Sequence, residues 1–107
     1  MDNVELVREI NNTMAIAAAP GISMDDLQQL VADHVNNLIQ HNFQKLITVL
    51  YRVDVSEIKL KQLLQENPGL DAGKIIGGLI IERQIQKIKT RQQFSKRDNN
   101  FTGEEKW

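Results

Sequence analysis

The sequence contains no cysteine, which excludes a disulfide framework, a cysteine-ligated zinc or iron–sulfur site and a thiol nucleophile. Histidine, another common metal ligand, occurs only twice, as His34 and His41. On one helix this spacing separates the two rings by about 10.5 Å along the axis, whereas helical ligands of one metal lie about one turn apart. The sequence therefore predicts no metal site, no cofactor and no catalytic residue.

Long apolar runs are also lacking. Residues 14–22 lack a strongly polar residue but include Pro20 and Gly21, and the apolar run 75–81 includes two glycines. A membrane-spanning helix needs about 20 apolar residues. Near the N-terminus, Asp2, Glu5 and Glu9 outweigh Arg8, which is the wrong sign of charge for a secretory signal. We therefore expect no transmembrane segment and a cytoplasmic location.

Proline and glycine are scarce, with two prolines and six glycines, and both prolines fall where helices should stop. Long stretches have helical spacing of apolar residues, and none shows sustained strand alternation. A chain of 107 residues with 41% apolar residues is typical of one globular domain. We expect an all-α fold, an up-and-down bundle of three long helices and one short helix, in residues 1–94. Residues 95–107 are expected to form a polar, mobile tail.

Capping residues set the expected helix boundaries. Ser23 should begin the second helix, Asp54 or Ser56 the third and Asp71 the fourth, because their side chains can accept hydrogen bonds from the first free backbone N–H groups. The expected helices are residues 3–18, residues 24–53, a short third helix that stops at Asn67-Pro68-Gly69, and residues 72–94. A kink at His41-Asn42 is the alternative for the second of these helices.

Apolar side chains keep one register along the long second helix, so its core positions are predicted from their spacing. His34 lies in the same stripe and is interpreted as a core or interface residue, whereas His41 is expected to be exposed. The predicted core residues of this helix are Leu30, Leu38, Phe43, Leu46 and Leu50. The predicted buried side of the third helix consists of Val55, Ile58, Leu63 and Leu64.

The fourth helix carries apolar residues on two roughly opposite faces. One face holds Ile76, Leu79 and Ile80. At 100° per residue, the other face holds Ile81, Ile85 and Ile88. A single bundle core covers one stripe, and an exposed second stripe is typical of an interface. We therefore predict a homodimer in which Ile81, Ile85 and Ile88 contribute to the contact. The alternative is that the first helix, or a bend at Gly77-Gly78, covers them within one chain.

Charge is unevenly distributed along the chain. Residues 1–54 carry seven acidic and three basic residues, and residues 55–107 carry seven acidic and ten basic residues. A run of basic residues without an acid makes the fourth helix positive, and cations near a helix C-terminus also suit its negative end. The candidate polyanion contacts on this helix are Arg83, Lys87, Lys89 and Arg91.

The overall balance is slightly acidic, with a net charge of −1, which disfavours a dedicated nucleic-acid binder. A solvated face is therefore the preferred interpretation of the basic run. Nucleic acid, an anionic membrane surface or an acidic protein partner are the alternatives.

Residues 42–94 carry a resemblance. The motifs are Leu50-Tyr51-Arg52 followed by Asp54-Val55-Ser56-Glu57, and later Glu82-Arg83-Gln84 with Thr90-Arg91-Gln92. This half of the chain resembles small uncharacterised helical proteins from bacteria, a resemblance that implies a small helical fold and no particular activity. We expect a non-enzymatic protein–protein interaction or scaffold module that acts as a homodimer. The alternative is an accessory protein that binds nucleic acid or another polyanion through its basic fourth helix.

Overall fold

The computed structural model describes residues 3–102, with the side chains of residues 3–93. Most of the described residues are helical and none of them lies in a strand, which confirms the all-α class. Within residues 3–102 there are five helices: α1 (Val4–Met14), α2 (Met24–His41), α3 (Phe43–Val53), α4 (Glu57–Glu66) and α5 (Ala72–Thr102). This differs from the predicted three long helices and one short helix, because the second predicted helix is in fact two.

The break between α2 and α3 lies at Asn42, within the predicted second helix and at the position where a kink was the alternative. Asn42 adopts φ −157° and ψ 68°. Its backbone N–H donates to the carbonyl of Leu38 at 2.9 Å and ends α2. Its side-chain oxygen accepts from the N–H of Lys45 at 3.2 Å and begins α3. The asparagine amide thus competes with the helical hydrogen bonds and replaces them at this point.

The first helix is shorter than the predicted 3–18. It ends at Met14, because Ala15 takes a left-handed conformation with φ 57°. The side chain of Asn11 then bonds both backbone groups of Ala18, accepting from its N–H at 2.9 Å and donating to its carbonyl at 3.1 Å. The alanine-rich segment after Met14 therefore folds back on α1 instead of extending it.

Three of the predicted caps form. Ser23 Oγ accepts from the N–H of Asp26 at 3.1 Å, and Ser56 Oγ accepts from the N–H of Lys59 at 3.2 Å. Asp71 Oδ1 accepts from the N–H of Gly73 at 3.0 Å. The alternative cap for the third predicted helix, Asp54, instead ends α3 in a left-handed conformation with φ 64°.

The core forms where α1, α2, α3 and α5 meet, and α5 contacts all four of the other helices. Gly73 and Gly77 allow α5 to approach the backbone of α2 closely at Ala32. The buried cluster contains Leu6, Val7, Ile10 and Met14 of α1, Leu27, Val31, Val35 and Leu38 of α2, Leu46, Val49 and Val53 of α3, and Ile76, Ile80, Ile81 and Ile88 of α5.

Both apolar faces of α5 are covered within one chain along at least part of their length. Ile81 and Ile88 are buried in the same cluster as Ile76 and Ile80, and Ile85 packs against it half-buried. The expectation that one chain cannot cover both faces is therefore wrong. The physical reason is that α5 packs against α2 at Gly73 and Gly77 and also contacts α1 and α3, so more than one helix covers it.

The predicted core of the long helix is correct in part. Leu38 and Leu46 are buried, and Leu30 and Leu50 are half-buried. Phe43 is 56% exposed, so its prediction as a core residue is wrong for the single chain. The break at Asn42 explains the difference, since Phe43 begins a new helix and no longer follows the apolar register of α2.

The short helix α4 has no buried residue, although a buried side was expected. Ile58 is 80% exposed, and Val55, Leu63 and Leu64 are only half-buried. The extensive contact of α4 is with α5. Its apolar side is therefore only partly covered in the described chain, with Leu60 packed against the core and Ile58 left exposed.

The last helix continues to Thr102, past its expected end at 94. The prediction of a mobile tail lies outside the described residues for 103–107, and so do the side chains from 94 onward. In the described part of the chain, no helix is both long and apolar enough to cross a membrane.

Candidate functional site

A groove with apolar walls lies between α3 and α4, with a volume of about 470 Å³. We call it the α3–α4 groove. Its apolar lining residues are Ile47, Leu50, Tyr51, Val55, Leu60 and Leu64, and the charged residues at its edge are Asp54, Glu57 and Lys61. Tyr51 is 85% exposed, so the groove is open to solvent at its largest side chain. The other apolar lining residues are half-buried, and an open groove with apolar walls is a candidate contact site.

The local sequence explains why the groove stays open. Asp54 ends α3 in the left-handed conformation, and Ser56 begins α4 two residues later. This sharp connection turns α4 away, and α4 then lies against α5 through an ion pair between Lys59 and Glu82 at 2.9 Å. The apolar sides of α3 and α4 are thus held next to each other with no third helix above them in the described chain.

The charges at the edge of the groove are paired. Glu57 and Lys61 form an i,i+4 pair at 3.2 Å, and Asp54 pairs with Arg83 at 3.4 Å. All of these side chains are at least one-third exposed, so each pair contributes little to stability. Because each pair joins opposite charges, the edge of the groove carries little net charge.

The structure places three of the four predicted polyanion contacts in hydrogen bonds within the chain. Arg83 Nε donates to the backbone carbonyl of Asp54 at 3.2 Å, and Lys87 Nζ donates to that of Arg52 at 3.2 Å. Both cations therefore neutralise the negative C-terminal end of α3. Lys89 is exposed on the same helix. It lines neither the α3–α4 groove nor the cavity between α1, α3 and α5 that Arg83 and Lys87 line.

Arg91, the remaining predicted contact, links α5 to α1. Its Nη2 lies 2.7 Å from a carboxylate oxygen of Glu9 and 3.7 Å from one of Glu5. The two acidic residues of the first helix thus compensate one end of the basic run, which weakens the positive field that a long polyanion would meet.

A second cavity, about 500 Å³ in volume, lies between α1, α3 and α5. We call it the basic cleft. Its lining residues are Glu9, Thr13, Arg52, Arg83, Gln84, Lys87, Thr90 and Arg91. The helical spacing of Arg83, Lys87 and Arg91 was the sequence signal for it. Arg52 was missed, because no pattern within α3 shows that its last turn faces α5.

The candidate metal and catalytic groups do not converge in the described residues. No group of three or more histidine, cysteine, aspartate or glutamate side chains there is placed to hold a metal ion. His41 is exposed at the end of α2. His34 is half-buried, and its Nε2 is buried without a hydrogen-bond partner among the described residues. Burial and the nearby charge of Lys45 lower the pKa of His34, against the opposing effect of a hydrogen bond with the backbone of Met14.

Comparison of the chain with protein-family models, with curated proteins and with solved structures found no match in any of the three. The resemblance to small bacterial helical proteins therefore stays a prediction, and the functional argument depends on the α3–α4 groove and the basic cleft.

Proposed function

We propose that the protein is a non-enzymatic protein–protein interaction module that acts as a homodimer, and that the α3–α4 groove is its contact surface. The observation that supports this most is the absence of any buried residue on α4, although its side chains include one isoleucine and three leucines. A helix of this composition usually gains its stability from packing of its apolar side. A second copy supplies that packing. The proposal keeps the cytoplasmic location that the sequence predicts.

The shape of the surface favours a second copy as the occupant. A groove between two helices is suited to an amphipathic helix laid into it. Because α4 is itself such a helix and forms one wall of the groove, two chains related by a two-fold axis can each supply the helix that the other lacks. Such an arrangement is self-complementary and closed, as most homodimers are.

The charges at the groove are compatible with the same occupant. The pairs Glu57–Lys61 and Asp54–Arg83 leave the edge nearly neutral, so two copies can approach without like-charge repulsion. The proposed contact replaces the one predicted from sequence, because Ile81 and Ile88 are buried in the core of the chain itself.

Substitution of Tyr51 tests the proposal. Tyr51→Glu puts a charge in the centre of the groove, at a side chain that is 85% exposed in the single chain, so the fold should not change. We expect the wild type to sediment as a dimer and Tyr51→Glu to weaken the dimer about tenfold or more, as loss of a central tyrosine often does.

Leu70→Glu is the matched control. Leu70 is also an exposed apolar residue, at 59%, but it lies between α4 and α5 and does not line the groove. We expect this variant to dimerise as the wild type does. A wild-type chain that stays monomeric at millimolar concentration, or equal weakening by both variants, would refute the proposal. Circular dichroism of each variant establishes that the helices are intact.

Binding of nucleic acid through the basic fourth predicted helix, now α5, is less well supported. Arg83, Lys87 and Arg91 bond groups of the chain itself, and Glu5 and Glu9 lie beside Arg91. An extended phosphate backbone along α5 would meet these carboxylates. If this function holds nevertheless, DNA affinity should fall steeply with salt and should weaken in Lys89→Gln as much as in Lys87→Gln.

A further inference from the structure

The basic cleft has features that self-association through the α3–α4 groove does not use. We propose that it is a binding site for a compact phosphate-bearing anion, the size of a small phosphorylated molecule or pyrophosphate. The volume of about 500 Å³ is in the range of small-ligand sites. This proposal does not depend on the homodimer, since the residues involved lie between α1, α3 and α5.

Four cations line the cleft against one carboxylate. Arg83, Lys87 and Arg91 recur at every fourth position of α5, which places them on one face, and Arg52 approaches from α3. Glu9 is the single acidic residue of the lining. The excess of positive charge is therefore built from two helices that the fold brings together, which is more specific than a basic run along one helix.

Several hydrogen-bond donors of these cations remain available. Arg52 has no ion pair with the described residues, so its guanidinium keeps its donors for a ligand. Lys87 uses one of its three donors, on the carbonyl of Arg52. Arg91 uses one nitrogen, Nη2, for its carboxylate partners. Phosphate oxygens accept several such charge-assisted bonds at once, and arginine suits them in particular.

The lining of the cleft also contains a polar pair. Gln84 is 5% exposed and is the one buried polar residue in the described chain. Its Nε2 donates to Thr13 Oγ1 at 3.0 Å. Because that bond uses Thr13 as an acceptor, the hydroxyl proton of Thr13 is still available as a donor, as is that of Thr90 on the same wall. The cleft thus offers neutral donors beside its charged ones.

The acids around the cleft select for a small and strongly charged ligand. A polyanion longer than the cleft would extend beyond it and be repelled by the carboxylate of Glu5 or Asp54. A compact anion contacts only the residues that line the cleft. A phosphate group carries up to two negative charges near neutral pH, enough to compete with Glu9 for Arg91. That competition costs little, because Arg91 is more than half exposed and exposed ion pairs are weak.

Calorimetric titration with pyrophosphate tests the proposal on the full chain. The variants Arg52→Gln and Lys87→Gln each remove one cation from the cleft, and Lys89→Gln removes one from the same helix outside it. We expect pyrophosphate to bind the wild type one to one, to bind Arg52→Gln and Lys87→Gln at least tenfold more weakly, and to bind Lys89→Gln within twofold of the wild type.

Glu9→Gln should change the affinity for pyrophosphate in the opposite direction. This variant removes the repulsive carboxylate and the closer of the two partners of Arg91, so pyrophosphate should bind several-fold more tightly. Equal losses in Lys87→Gln and Lys89→Gln, absence of binding at millimolar pyrophosphate, or tighter binding of a 20-nucleotide single-stranded DNA than of pyrophosphate would each overturn the proposal. The melting temperature of Arg52→Gln without ligand shows whether a loss of binding comes from a loss of folding.

Discussion

Gly73 lies where α5 crosses α2, and the close approach of the two backbones depends on its missing side chain. A Cβ atom there would come within 2.5 Å of the backbone oxygen of Ala32 and of Nδ2 of Asn36. Since a backbone oxygen in a helix cannot move away easily, the two helices would have to separate. Gly78, one residue after Gly77 on the same helix, has no heavy atom within 4 Å of the same position.

We expect Gly73→Ala to destabilise the fold by about 1–3 kcal/mol, the usual cost of overpacking. Gly78→Ala should instead stabilise it by about 0.5–1 kcal/mol, because alanine is the better helix former and meets no obstacle. Urea denaturation of the two variants measures both changes. If Gly73→Ala were as stable as Gly78→Ala, the close contact between α2 and α5 would not exist as described.

His34 makes folding sensitive to pH. Burial, together with Lys45, lowers the pKa of its ring below the ordinary value of 6.5, so the unfolded chain binds a proton more readily than the folded chain. Stability from this residue is therefore complete above about pH 6.5 and is lost as the pH falls toward the lowered pKa. The physical reason is that a protonated ring would bring a charge and an unpartnered Nε2–H into the interior.

We expect the free energy of unfolding to fall as the pH decreases below 6.5, and this fall to be smaller in His34→Leu. Denaturation at several pH values between 5 and 8 measures the slope. His41→Gln is the matched control, because it removes an exposed histidine from the same helix and leaves His34 in place. A slope that disappears in the control variant and not in His34→Leu would contradict the assignment.

Helix ends were predicted best where a side chain acts on its own neighbours. Ser23, Ser56 and Asp71 cap as expected, since capping requires only the residue and the backbone three positions or fewer away. His41-Asn42 was identified as the place where the second predicted helix could kink, but a complete break was not predicted, because the apolar register continues through it and helical spacing alone does not reveal a competing side chain. The end of α1 was missed for a similar reason at Asn11.

Burial was harder to predict than helicity, and this limits what the sequence says about the site. The spacing of apolar residues shows which side of a helix is apolar, but not whether another helix covers it. Ile81 was expected to be uncovered and is buried, whereas Ile58 was expected to be buried and is exposed. The basic face of α5 was found from spacing, but its convergence with Arg52 depends on how α3 crosses α5 and has no local signal.

Asn42 gives a direct test of the junction between α2 and α3. In Asn42→Ala the N–H of Lys45 loses its side-chain acceptor, and loss of such a cap costs about 0.5–2 kcal/mol. We expect a loss of stability in this range by thermal or urea denaturation. Asn42→Asp, which keeps an acceptor oxygen, should recover most of the loss. A variant in which alanine raises stability would show that the chain prefers one continuous helix here.

Stability is unevenly distributed over the whole molecule. The core joins α1, α2, α3 and α5 through buried side chains, whereas α4 contributes none and contacts chiefly α5. Backbone amides exchange with solvent fastest where few apolar contacts hold the structure closed. The proposed homodimer would stabilise α4, because the second copy would cover α4 and the α3–α4 groove.

Hydrogen exchange as a function of protein concentration therefore connects the stability of α4 to the proposed contact. In dilute protein we expect the amides of α4 to exchange faster than those of α2 and of residues 76–88. At concentrations where the dimer forms, exchange in α4 should slow markedly, because binding that favours the folded state reduces its opening, whereas exchange in α1 should change little. Tyr51→Glu, whose dimer should be about tenfold weaker or more, should need a correspondingly higher protein concentration before exchange in α4 slows. Protection of α4 equal to that of α2 in dilute wild-type protein would mean that the chain covers this helix by itself. A dimer that leaves α4 exchange unchanged would place the contact on another face.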